Sequence, residues 1–180
     1  VNLLQAVNYT ASIRDKQYST GKVNTVDYRY LPREKQLYIQ ATNRSADKTR
    51  LYRTTIVFEG ITNSDVPDKN HPIPYSSKGQ GIELYLKTIM VRDRIRTRCQ
   101  CQDYYFMWEF WNKQNKALVG PHKTYVRVSP PSGRPPVNPA EAPGLCKHLL
   151  VLIKKLMADG VIKKDQAVWS YLNRPPRVLR

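Results

Sequence analysis

The sequence predicts an α+β fold: a small antiparallel β-sheet, followed by a strand–helix unit that is split by a long proline-rich insertion. Three observations carry this. Several strand-like segments recur between Val26 and Cys101, a single strong helical period runs over 145–157, and six prolines fall between 128 and 143. The chain has 180 residues, enough to bury a core of its own, so any metal or disulfide acts as a local staple. The pattern divides into three stretches: 1–81, an N-terminal arm and antiparallel β region; 82–160, the strand–helix region with its insertion; and 161–180, a short helix and a basic tail.

Residues 1–20 read as a short helix or an extended arm. From Val26 the pattern is that of strands: VDYRY (26–30) and QLYIQA (36–41) alternate, and TRLYRTTIVF (49–58) is rich in β-branched and aromatic residues. The polar segment NRSADK between the last two makes 36–58 a hairpin. Residues 60–81, with prolines at 67, 72 and 74, read as irregular, and IELYLKTIMV (82–91) as a further strand leading into RIRTRCQC.

DYYFMWEFWNKQN (103–115) suits a short helix capped by Asp103, with Phe106, Phe110 and either Met107 or Trp111 on its apolar face. VSPPSGRPPVNPAEAP (128–143) reads as an extended loop. Pro143 and Gly144 then lead into a helix that places Leu145, Leu149, Leu152, Ile153, Leu156 and Met157 on one face, with Gly160 as its stop. VIKKDQAVWSYL (161–172) reads as a last short helix and NRPPRVLR as an extended basic tail.

Thirty Lys and Arg stand against fourteen Asp and Glu, a net charge of +16, which calls for a polyanionic partner. The basic residues are spread along the chain with no single block. No apolar run is long enough to span a membrane, and VNLLQAVNYTAS lacks the basic start and apolar stretch of a signal peptide. An odd count of three cysteines argues against a disulfide framework and for a reducing interior.

Read as a strand, 94–101 turns Ile95, Thr97, Cys99 and Cys101 to one face and Arg94, Arg96, Arg98 and Gln100 to the other. With Arg92, the arginines fall on every second position. A C-x-C disulfide ring is too short for relaxed geometry, whereas two thiols on one side suit a shared metal ion. The third cysteine lies in Cys146-Lys147-His148. Residues two apart on a helix diverge, so this pair converges only if Cys146 sits in the turn before the helix and His148 in its first turn. The set Cys99, Cys101, Cys146 and His148, with forty-four residues between its halves, is a closed tetrahedral donor set for structural zinc. His71 and His122, each in a proline-flanked loop, compete for the fourth place.

C-x-C followed by C-x-H at a helix start resembles the SWIM-type zinc finger, although the separation here is longer than is usual in that family. A closer resemblance is to SWIM-like proteins of contractile-tailed phages of cyanobacteria, carried by HPIPYSSKG, RTRCQCQDYYF, FMWEFWNKQNKALVG and RPPVNPAEAPGLCKHLL. It covers about residues 70–160. The resemblance implies a SWIM-like, zinc-stapled strand–helix unit, and a virion protein made in the host cytoplasm whose zinc is architectural.

Catalysis finds little support: Glu59, Glu83 and Glu109 are scattered, phosphate-binding glycine loops are lacking, and three Cys plus one His leave zinc no open position. The expected function is therefore a non-enzymatic structural component of a tailed-phage virion, in the neck, tail or baseplate. Its partners would be other virion proteins, through tyrosine- and arginine-rich contacts. The alternative is a SWIM-like nucleic-acid-binding protein, with Arg92, Arg94, Arg96 and Arg98 meeting phosphates and the aromatics stacking on bases.

Overall fold

The computed structural model describes residues 1–14, 22–44, 49–77, 83–122 and 138–174. Four strands, β1 (Val23–Leu31), β2 (Gln36–Arg44), β3 (Leu51–Glu59) and β7 (Ile95–Cys99), form an antiparallel sheet in the order β1-β2-β3-β7. The alternation read from the sequence sets its two faces. Tyr30, Leu37, Phe58 and Ile95 lie side by side across it, as do Val26, Ala41, Thr54 and Cys99, and these rows turn inward. The expected 36–58 hairpin is the β2–β3 pair, and residues 45–48 of its turn lie outside the described residues.

The stretch 60–81, expected to be irregular, holds two short strands. β4 (Asn63–Ser64) and β5 (Ile73–Ser76) flank β6 (Glu83–Leu86) in a second, three-stranded sheet of order β4-β6-β5. The strand expected over 82–91 therefore stops at Leu86 rather than running on into β7. Asp93 accounts for the break: its carboxylate accepts the Met90 N–H at 2.8 Å and the Lys87 ammonium at 2.7 Å, and its own N–H donates to the Met90 carbonyl at 3.0 Å. The turn thus formed sends β7 back to the first sheet.

Helix α1 (Leu3–Ile13) opens on a capping box between Asn2 and Gln5. Residues 102–114 form one helix in three parts, α2 (Gln102–Tyr104), a π-helical stretch over Tyr105–Glu109, and α3 (Phe110–Gln114). Its cap is Cys101, whose sulfur accepts the Tyr104 N–H, and not Asp103, which pairs with Arg14. The π stretch also corrects the expected apolar face. Hydrogen bonds five residues apart widen the turn, so Tyr104, Met107 and Trp108 are buried while Phe106 and Phe110 are 52% and 37% exposed.

Helix α4 (Lys147–Ala158) buries Leu149, Leu152, Ile153, Leu156 and Met157 as its period foretold, with Leu145 buried just ahead of it, and packs over β3 and β1. It ends at Gly160, φ 78°, where the Val161 and Gly160 N–H groups return to the Leu156 and Met157 carbonyls, a Schellman stop. The last helix is shorter than expected: α5 (Gln166–Leu172), capped by Asp165, follows an extended 161–165 in which Ile162 bridges Ile89. One apolar core runs from Leu3 to Leu172 and draws on 1–81, 82–160 and 161–180 together. Of the proline-rich loop, residues 128–137 lie outside the described residues, as does the tail over 175–180.

Candidate metal centre

The end of β7 supplies Cys99, and the residue two beyond it, Cys101, caps the helix that follows. Cys146 is the N-cap of α4, with extended φ −79° and ψ 166°, and His148 lies in the first turn. That is the arrangement the C-x-H pair needs in order to converge. All four side chains are buried, and their donor atoms lie within 4.8 Å of one another. A tetrahedral zinc ion with bonds of about 2.0–2.3 Å requires donors about 3.5–3.8 Å apart. The Cys99 Sγ–His148 Nδ1 distance, 3.8 Å, already meets this. The residues present fit the ion, with a slight contraction of the wider pairs.

The three thiols perturb one another. Hydrogen bonds from Cys146 and Cys99 hold the Cys101 thiol far below its ordinary value. The hydrogen bond to Cys101 pushes Cys99 up, and burial pushes Cys146 up. Backbone N–H groups also point at sulfur, from Cys101 to Cys99 at 3.5 Å and from Tyr104 to Cys101 at 3.3 Å. The positive end of α4, twelve residues long, meets the cluster at Cys146. Tyr52 packs against the His148 ring, centroids 4.7 Å apart, and Asn43 donates to the His148 carbonyl at 3.4 Å.

A buried polar frame outside the ligands fixes the C-x-H arm. Asn112 clamps Gly144 from both sides, accepting its N–H at 3.0 Å and donating to its carbonyl at 3.0 Å. The same amide donates to the Tyr104 hydroxyl at 2.9 Å, and that hydroxyl donates to the Thr97 carbonyl at 2.8 Å. Thr10 of α1 accepts the Leu145 N–H at 2.9 Å. Gly144 lies flat on Trp108, so close that a Cβ there would sit 2.2 Å from the indole. None of Thr10, Trp108 and Asn112 was singled out from the sequence. Only the Pro-Gly pair before Cys146 hinted that something presses on that turn.

The competing histidines are placed elsewhere. His71 pairs with Asp68 at 3.0 Å and meets the Thr62 hydroxyl at 3.0 Å, while His122 lies 3.4 Å from Glu109. The four arginines divide. Arg92 stands in the turn before β7 and not on the strand, and like Arg94 it is exposed. Arg96 pairs with Glu59 at 2.9 Å, which also lies 3.7 Å from Arg94. Arg98 donates to the Val119 and Pro121 carbonyls, with Glu109 at 4.0 Å. Arg96 and Arg98 thus hold the fold together on the outer face of the strand. Among the described residues no helix is long and apolar enough to cross a membrane.

Comparison of the chain with protein-family models, with curated proteins and with solved structures finds no match.

Proposed function

We propose that Cys99, Cys101, Cys146 and His148 hold one structural zinc ion in a SWIM-like strand–helix unit, and that the chain is a non-enzymatic structural component of a tailed-phage virion. The observation that carries the metal reading is the burial of three thiols and one imidazole at zinc-binding separations, from stretches forty-four residues apart. Four protein donors fill a tetrahedral shell, so the ion's work is to tie β7 to α4 rather than to activate water. The virion reading is supported by the sequence likeness over about 70–160, and its place there is the neck, tail or baseplate. The net charge of +16 then meets acidic neighbours or the packaged genome.

Metal analysis of the purified chain tests the first half. About one zinc per chain is expected, with loss of zinc in both Cys99→Ser and His148→Ala; unchanged content in both variants overturns the ligand set. Peptide mass spectrometry and density maps of intact particles test the second half. The chain should be present at a fixed copy number in neck, tail or baseplate density, and its absence from purified particles overturns the virion reading.

A further inference from the structure

The two edges of the four-stranded sheet are treated differently. Beside β7, residues 117–119 take up the edge: the Thr97 N–H donates to the Ala117 carbonyl at 2.8 Å and the Val119 N–H to the Thr97 carbonyl at 3.0 Å. Beside β1 no strand pairs among the described residues. The Tyr30 N–H donates away from β2, to the Tyr75 hydroxyl at 3.0 Å, so in the alternating ladder the N–H and C=O groups of Val26 and Tyr28 point the same way. No hydrogen bond reaches those groups among the described residues. They open onto a groove of about 300 Å³ between β1 and β5, whose apolar lining includes Leu37, Leu86, Ile89 and Val161. Unpaired strand groups beside an apolar groove are what an extended peptide needs, since its backbone completes the ladder while alternate side chains enter the groove.

Ladder length and charge decide what enters. Tyr75 caps Tyr30, so the free stretch of the edge is short and ends at Tyr28. A second copy pairing through its own β1, centred on Tyr28, would set Val26 against a Tyr30 already capped, and two chains of net charge +16 repel each other. The chain's own tail, NRPPRVLR, is basic and is repelled in the same way. At the rim of the groove the Lys87 ammonium is neutralised by Asp93 at 2.7 Å, and Asp27 already has a partner. Arg29, exposed next to Tyr28, has no carboxylate partner among the described residues. Nor does exposed Lys163, whose N–H donates to the Ile89 carbonyl at 2.8 Å. The uncompensated charge beside the groove is therefore positive, and it favours an acidic segment.

We propose that the β1 edge takes a short extended segment of a partner protein as an added strand, with aliphatic or aromatic side chains in the groove at alternate positions and acidic side chains between them, beside Arg29 and Lys163. The ladder bonds to Val26 and Tyr28 hold any extended backbone, and the groove and the rim charge select its sequence. None of these residues belongs to the candidate metal centre, so the outcome is independent of the zinc reading.

The test uses the zinc-loaded full chain and a panel of fluorescent peptides of about seven residues, in which glutamate alternates with valine, isoleucine, leucine or phenylalanine. At least one should bind saturably and slow amide exchange at Val26 and Tyr28. Tyr28→Pro removes the outward donor and spares the bonds to β2, because an edge accommodates proline on its open side. It should bind roughly 3- to 10-fold more weakly than Tyr28→Ala, which loses the same side chain but keeps the N–H. Arg29→Gln should weaken binding roughly 2- to 5-fold. Zinc content should stay at the parental level in all of these. The proposal is overturned if no peptide of the panel binds, if binding leaves Val26 and Tyr28 unprotected, or if Tyr28→Pro binds as tightly as Tyr28→Ala. It is equally overturned if peptides with lysine in place of glutamate bind as well, or if raising the concentration of the chain alone protects the same amides, which would make the edge a contact between copies.

Discussion

The two ends of the core are built by different means. Around the candidate metal centre the contacts are polar and mutually dependent: three sulfurs and an imidazole converge, and Asn112, Tyr104 and Thr97 interlock behind them. Where the three-stranded sheet meets β1 and the chain after α4, the packing is mainly apolar, with Tyr30 adding hydrogen bonds to Tyr75, Ile61 and Asn63 at its margin. Leu37, Leu86 and Ile89 pack there, and the packing leaves a groove of about 300 Å³. Apolar contacts tolerate partial loss because each atom contributes a little and none needs a particular partner. A buried polar group that loses its partner keeps its full desolvation cost. The first end is therefore expected to fail together, and the second by degrees.

Chelation is the sharpest way to break this comparison and has the largest expected effect. Structural zinc binding is worth about 10–16 kcal/mol in small metal-folded peptides, more than any single side chain here can offset. Removing zinc should uncouple α4 from β7, so that amides of Leu149–Ile153 exchange earliest while those of β2 and β3 remain protected. Hydrogen exchange by mass spectrometry reads this directly. Equal loss of protection in both regions would mean that the ends are not distinct.

Ile89→Ala tests the apolar end. The side chain is 1% exposed and sits where Ile162 bridges the chain, so its truncation should cost about 2–5 kcal/mol in denaturant unfolding. Zinc content should stay at the parental level. Gly144→Ala tests the polar end with a single methyl group. That methyl falls on the Trp108 ring, and the overpacking should cost about 1–3 kcal/mol. Although smaller in stability, this change displaces the backbone two residues before Cys146, so it alone of the pair should also weaken zinc retention against a competing chelator.

These substitutions also show which parts of the molecule were readable in advance. The convergence of Cys99, Cys101, Cys146 and His148 could be read from the sequence because metal-ligand chemistry restricts residue type and strand or helix geometry restricts spacing. The β2–β3 hairpin and α4 were readable because each repeats its period long enough to declare itself. The face of the 102–114 helix was not. A π-helical stretch leaves no mark in an aromatic-rich run where every register offers apolar side chains. Asn112 was equally silent, since a clamp on a backbone thirty-two residues away has no local pattern. The split between β6 and β7 rested on a single aspartate turn, at Asp93, inside an otherwise strand-like segment. The arginines show a related limit: alternation tells which face a side chain takes, but not that Arg96 meets Glu59 there or that Arg98 meets a carbonyl.

The smallest expected effect separates two histidines that look alike in sequence. His71 competes with His148 for the fourth ligand place on residue type alone, yet its partners, Asp68 and Thr62, all lie within ten residues of it. Such a cluster fixes one exposed loop and ties nothing distant, so His71→Gln should leave zinc content unchanged and shift the melting temperature less than Gly144→Ala does. Its readout is local. The hydrogen bond from His71 holds the Asp68 carboxyl below its ordinary value of 3.8, helped by the Asn70 N–H. A carboxyl held low in the folded state adds stability above its unfolded value, and that contribution fades as the pH falls through the folded one. In His71→Gln, the Asp68 titration followed by NMR should move back up toward the ordinary value, and the loop should lose its acid-sensitive step. A change in zinc content on this substitution would mean that the loop and the metal centre communicate, and the contrast between a local and a long-range cluster would fall with it.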